Sequence, residues 1–147
     1  MKKLLLLIAR VIVGGVFIYA GWVKIIDPAT FAKDVANYQM LPHAFINSVA
    51  IILPWVEVVA GGLMVTGVWL RGSSAVIALL IGVFLVGISQ ALVRGLDIHC
   101  GCFGTVASRK VGFVALGEDL VFLAATVWVW WRAEHWHPSS QPAERIQ

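Results

Sequence analysis

The sequence predicts an all-α integral membrane protein, a four-helix bundle of up-down-up-down topology with a short amphipathic interfacial helix after the first span. Three observations predict it. The chain of 147 residues is 60% hydrophobic and only 13% charged, where a soluble domain carries about a quarter charged residues; its mean hydropathy is +0.88. The apolar residues fall into four runs, each near the ~20 residues that cross a hydrocarbon core. Basic residues and tryptophans flank those runs as membrane anchors do. The net charge of +3 is therefore not a nucleic-acid signal, since no basic patch interleaves with aromatics.

The first span is predicted over Leu4–Lys24. Lys2 and Lys3 before an apolar stretch imitate a signal peptide, but Arg10 interrupts the run, no small-x-small cleavage site precedes Ala20, and the apolar stretch continues to Ile26. A retained helix is expected. In "DPATFAKDVANYQMLP", Asp27 is an N-cap and Pro28 suits the first helical turn. Phe31, Val35 and Tyr38 share one face, with Lys33, Asp34 and Asn37 directed elsewhere. This is an amphipathic surface helix that stops at Pro42 and serves as a lid, a docking face or a linker. The remaining spans are predicted over Phe45–Leu70, Ser73–Val93 and Val111–Trp131. Single strands of this length would leave backbone groups unsatisfied in lipid, so helices are required, and short connections make neighbours antiparallel.

Trp22 closes the first span, Trp69 the second, and Trp128, Trp130, Trp131 and Trp136 gather at the end of the fourth; indoles favour the headgroup level. Trp55, at mid-span, is expected to face a neighbouring helix. Gly14, Gly15, Gly61, Gly62, Gly82 and Gly87 are expected to let helices approach closely. Residues 1–133 form the membrane domain, and 134–147 a polar cytoplasmic tail whose His135 and His137 read as solvated bystanders. Basic residues on the two sides nearly balance, so orientation rests on the first helix: both termini in the cytoplasm, the 94–110 loop outside.

That loop carries "IHCGCFG", with both cysteines of the chain. A disulfide needs its Cα atoms about 4.4–6.8 Å apart, which Cys100 and Cys102 reach only in a bent backbone; Gly101 permits the bend. So small a ring closes almost no loop, so it gains little as a staple. Strained, exposed disulfides are the labile or catalytic ones. His99, Arg94, Arg109 and Lys110 supply positive charge that favours thiolate. Three readings stay open: thiol redox chemistry, soft-metal binding through His99, Cys100 and Cys102, and a structural pair. No fourth metal ligand is evident, and no resident metal is assigned.

Arg10, Glu57, Glu118 and Asp119 lie within the spans, where ionisable groups are costly and mark function by default. At a rise of ~1.5 Å per residue, Gln90, Glu118 and Asp119 lie roughly 10 Å below the outer surface and Glu57 roughly 18 Å. Most of these groups thus fall in the half beneath the cysteine loop. Arg10 is expected to snorkel to the inner surface. Glu57 has two readings: a proton-handling carboxylate, or a packing partner of Arg10 or Lys24.

The stretches "ARVIVGGVFIYAGWVKIIDPATFA", "YQMLP", "LPWVEVVAGGLM" and "RGLDIHCGCFG" together resemble the DoxX-like membrane proteins, and most closely their MauE branch, named for methylamine utilisation. The resemblance covers nearly the whole membrane domain. Its most specific marks are Asp27-Pro28 after Lys24, the Pro54-x-x-Glu57 step and Cys100-Gly101-Cys102-Phe103-Gly104. The fourth span departs from the family pattern, which carries a basic residue and an amide where this chain has Glu118 and Asp119. The resemblance implies a bacterial inner-membrane four-helix bundle that forms or handles disulfides in exported proteins. It implies a thioredoxin-like periplasmic partner or exported thiol protein, with Cys100 and Cys102 as the redox pair and Glu57 as a motif residue.

The resulting expectation is thiol–disulfide exchange by Cys100 and Cys102, assisted by Glu57 and His99. Lys24, Gln90, Arg94, Glu118 and Asp119 lie in the vicinity of a substrate or of a quinone acceptor. Quinone-linked disulfide generators usually relay electrons between two cysteine pairs, and this chain has one. The alternatives are a heavy-metal or small-solute carrier using the same thiols, which predicts a continuous polar path through the inner half, and a non-catalytic scaffold for a periplasmic partner.

Overall fold

The computed structural model describes residues 2–95 and 113–133. They form five helices: α1 (Lys2–Ile26), α2 (Pro28–Asn37), α3 (His43–Thr66), α4 (Leu70–Val93) and α5 (Phe113–Ala133). No strand occurs among the described residues. Four helices, all but α2, are long and apolar enough to cross a membrane. The 25 residues of α1 reach about 37 Å, beyond the ~30 Å of a hydrocarbon core.

These four close into a ring in the order α1, α3, α4, α5, with α2 lying on α3 and touching α1. Consecutive spans are antiparallel, so α2, the 94–112 connector's two attachment points and the start of α3 share one end. The termini of the described chain and the α3–α4 turn share the far end.

The core follows helical periodicity. On α1 the buried residues are Leu6, Arg10, Val13, Gly14, Phe17, Ala20, Gly21 and Lys24, a three-four spacing that places one stripe inward. Ala60, Met64, Ile77, Ile81 and Val129 face it from the other helices. Large apolar side chains such as Leu4, Ile12, Leu79 and Val121 point outward, as a bilayer requires.

Local chemistry sets the boundaries. Asp27 caps α2 by accepting from the Thr30 backbone N–H at 3.1 Å, with Pro28 in the first turn. Hydrogen bonds from the Thr30 hydroxyl and backbone N–H hold the Asp27 carboxyl below its ordinary range. Helix α2 ends at Asn37 rather than at Pro42. Gln39 takes a left-handed φ of 51°, the chain reverses, and Pro42 opens α3 as its N-cap. Asp34, expected on the wet face, is half-buried.

The second span ends at Thr66, not Leu70. Gly67 adopts φ 77° and donates to Leu63 O at 2.9 Å, an αL cap. Leu70 instead opens α4, and Trp69 is that helix's N-cap. Arg10 does not snorkel. It is 4% exposed and donates from Nε to Met64 O at 3.1 Å and from Nη2 to Val65 O at 3.0 Å. These carbonyls at the end of α3 have no helical partner of their own, and a cation is favoured there.

Close helix approach is narrower than the glycine pattern suggests. A Cβ on Gly14 would meet Gly61 O at 2.7 Å, and one on Gly21 would meet Pro54 O at 2.6 Å; Gly15, Gly62 and Gly82 face open space. Trp55 is not buried against a neighbouring helix. It is 57% exposed and, with Trp69, Gly72 and Val76, borders an apolar cleft between α3 and α4.

Candidate functional site

The close approach at Gly21 builds the site. With α1 at Gly21 against the Pro54 backbone and Glu57 Cβ, Glu57 lies at the contact itself, and Lys24, one turn on along α1, reaches it with its long side chain. Lys24 Nζ donates to Glu57 Oε1 at 2.7 Å and to Oε2 at 2.9 Å, and both side chains are 1% exposed. This is the packing pair that the sequence left open as one reading of Glu57, with Lys24 rather than Arg10 as partner. Aromatic rings flank the ammonium. Phe31 of α2 and Phe84 of α4 each have their centroid 4.9 Å from Nζ, within cation–π range. Phe31 is itself buried, so the amphipathic helix covers the charge.

Asp119 joins this layer from α5. It lies within electrostatic reach of Lys24 and Tyr38. Its Oδ2 is buried and has no hydrogen-bond partner among the described residues. Asp119 and Glu57 both line a cavity of about 30 Å³, walled otherwise by Val16, Phe17, Ala20, Ile81, Phe84 and Phe122. Such a volume accommodates water-sized occupants. Above the layer, Tyr38 packs on Gly87. Burial pushes its phenol up to about 12, with Asp34 and Asp119 adding to the effect, so it keeps its proton at neutral pH.

The structure thus brings together Lys24, Glu57 and Asp119. Glu118 is half-buried beside Asp119, while Gln90 and Arg94 are exposed on α4 and at its C-cap. His99, Cys100 and Cys102 lie outside the described residues. The walls supplied by Phe31, Tyr38, Phe84 and Phe122 were not among the expected site residues; an aromatic within an apolar run carries no mark of what it faces.

At the far end the polar groups are consumed locally. Arg10 serves α3 carbonyls, Ser73 and Ser74 donate to Leu70 O, and Thr126 to Phe122 O.

The family described as methylamine utilisation protein MauE matches residues 2–132. Among curated proteins, the methylamine utilization protein MauE of Paracoccus denitrificans is 32% identical over 117 residues, which are 78% of this chain and 62% of that protein. The chain therefore matches less than two thirds of that relative's length. No solved structure matches.

Proposed function

This chain belongs to the MauE family, and from that premise we propose that it exchanges thiols and disulfides with exported proteins through Cys100 and Cys102. The setting we extend to it is methylamine utilisation, for which the Paracoccus relative is named. In this reading the membrane is the bacterial inner membrane, the α2 end faces the periplasm and the termini face the cytoplasm. The wider DoxX-like kinship rests on the resemblance of the sequence motifs.

One observation carries the proposal. The connector with both cysteines joins α4 to α5, the two helices that bring Phe84 and Asp119 to the buried Lys24–Glu57 layer. The stretch of chain that carries both cysteines thus leaves α4 and enters α5 at the end of the bundle that holds these acid–base groups. A carrier is disfavoured because the described polar groups at the far end are engaged by helix carbonyls and offer no continuous polar path.

The exchange step passes two electrons from the partner to the Cys100–Cys102 disulfide, and a quinone is the oxidant that restores it. A partner thiolate attacks one sulfur of the Cys100–Cys102 disulfide, and the other sulfur leaves as thiolate. The partner's second thiol then resolves the mixed disulfide. The partner gains a disulfide, and Cys100 and Cys102 become two thiols. A membrane quinone returns the pair to the disulfide by accepting two electrons and two protons, becoming quinol. Arg94, Arg109 and protonated His99 favour the leaving thiolate, because a lower thiol pKa speeds departure.

Replacing one cysteine with Ser tests this in intact cells. A single variant, Cys100→Ser or Cys102→Ser, should accumulate a mixed disulfide with a thioredoxin-like periplasmic protein or an exported thiol protein. Membrane-impermeant maleimide should label the reduced native pair from outside. A reduction potential below about −300 mV, the range of structural disulfides, with no mixed disulfide from either variant, would overturn exchange and favour the scaffold. Labelling only after lysis would overturn the orientation.

A further inference from the structure

We propose that Asp119 and the cavity it lines form a proton-binding site inside the bundle, in which Asp119 Oδ2 takes up a proton through cavity water while the Lys24–Glu57 pair stays fixed. The two carboxylates of this layer are held very differently. Both oxygens of Glu57 accept from Lys24 Nζ. The buried Oδ2 of Asp119 accepts from no described residue, although a buried polar atom without a partner is costly.

Every element packed around Asp119 contributes to this arrangement. From α1 comes Lys24, whose charge Glu57 of α3 already balances. From α2 and its C-cap come Asp34 and Tyr38; Asp34 acts on Lys24 and Tyr38. From α4 come Ile81 and Phe84, and from α5 itself come Phe122 and the adjacent Glu118. Glu57 already balances the charge of Lys24, so an ionised Asp119 would leave this interior layer with a net negative charge. A hydronium ion gives its proton to the carboxylate, leaving the acid and water. The resulting O–H then has an acceptor in cavity water or in Glu57 across the cavity.

The cavity's size selects the ligand class. About 30 Å³ holds water, which needs roughly 10–15 Å³, but not the ring of an organic substrate. The groups facing it are two carboxylates and apolar or aromatic walls, a poor cage for a metal ion and a sufficient one for a proton and its water. Tyr38, protonated at neutral pH and within electrostatic reach of Asp119, lies on the α2 side, where such a proton would enter. The site stands independently of the thiol chemistry.

Infrared spectroscopy of the purified full-length chain in lipid nanodiscs tests it, with absolute and pH-difference spectra taken in H₂O and D₂O. The carbonyl band of a protonated carboxylic acid is expected, moved by D₂O and by ¹³C-carboxyl aspartate labelling. It should persist in the Cys100→Ser/Cys102→Ser double variant, disappear in Asp119→Asn and return at a shifted frequency in Asp119→Glu. If Asp119→Asn does not fold, the isotope shift in the native chain decides. The proposal is overturned if no such band exists at any pH, if aspartate labelling leaves it unmoved, if Asp119→Asn retains it, or if it follows sodium concentration at fixed pH. The mixed-disulfide experiment reads the cysteines alone, so each proposal can fail without the other.

Discussion

Removing one member of the buried Lys24–Glu57 pair should destabilise the bundle, and the two single removals should differ. Lys24→Met leaves the Glu57 carboxylate, 1% exposed, without its cation and sharing the cavity with Asp119. Stranding one charge of a buried pair costs about 3–5 kcal/mol, and Lys24→Met should fall in that range. Glu57→Gln leaves Lys24 with an amide oxygen to accept one of its two hydrogen bonds, with Asp119 in electrostatic reach and with both flanking rings. Its cost should be nearer the ~1.5–3 kcal/mol of one hydrogen bond to a charged group. The Lys24→Met/Glu57→Gln double variant strands no formal charge and should be less destabilised than the sum of the singles by about 1–3 kcal/mol. Unfolding in mixed micelles by titrated dodecyl sulfate, followed by tryptophan fluorescence, measures all three. Additivity within about 0.5 kcal/mol, or a Glu57→Gln cost equal to that of Lys24→Met, would refute the assignment of the pair and of Asp119 as a second counter-charge.

At the α1–α3 contact, Gly14→Leu should destabilise by about 1–3 kcal/mol through overpacking, because even a Cβ there lies 2.7 Å from Gly61 O. Gly15→Leu, facing open space, should be near-neutral in the same unfolding assay. Ultraviolet titration should show Tyr38 ionising near pH 12, as the difference between the native chain and Tyr38→Phe. Since folding raises the phenol's pKa, the folded state binds more protons between the ordinary value of 10 and 12. Its contribution to stability is present below pH 10 and lost as pH rises through that window; a Tyr38 transition at or below pH 10 would contradict the packing.

The four spans were legible because length and hydropathy alone require them, and the third was expected to end at Val93 as α4 does, yet the end of the second was not. Val68, Trp69 and Leu70 stay apolar through the α3–α4 turn, so hydropathy carried the second span past Gly67, where backbone conformation stops it. Adjacent glycines share one composition and two fates: Gly14 and Gly61 meet, while Gly15 and Gly62 face open space, and which member of each doublet faces its partner depends on helix rotation. Gly21, which brings Lys24 to Glu57, was missed for the same reason. The buried charges could be read because they are rare in an apolar chain. Their aromatic walls could not, since Phe84 and Phe122 look like any other residues of their spans.

The two ends of the bundle use polarity differently, and that difference locates the chemistry. At the far end, buried polar side chains bond to helix backbones: Arg10 takes carbonyls that end α3, and the hydroxyls of Ser73, Ser74 and Thr126 donate to carbonyls of their own helices. Apolar packing with ordinary caps would serve there as well. At the α2 end, Lys24, Glu57 and Asp119 project into the interior, away from any backbone duty. One carboxylate is neutralised and the other is aimed into a water-sized cavity. Replacing a buried ion pair with apolar side chains is often neutral or stabilising, so stability alone does not account for keeping three ionisable groups in one interior layer. The cover that α2 places over them, with Phe31 on the ammonium, then has a physical role. It keeps bulk water from the pair and, in the proposed proton site, leaves the Tyr38 side as the way in, linking the amphipathic helix to what Asp119 would bind.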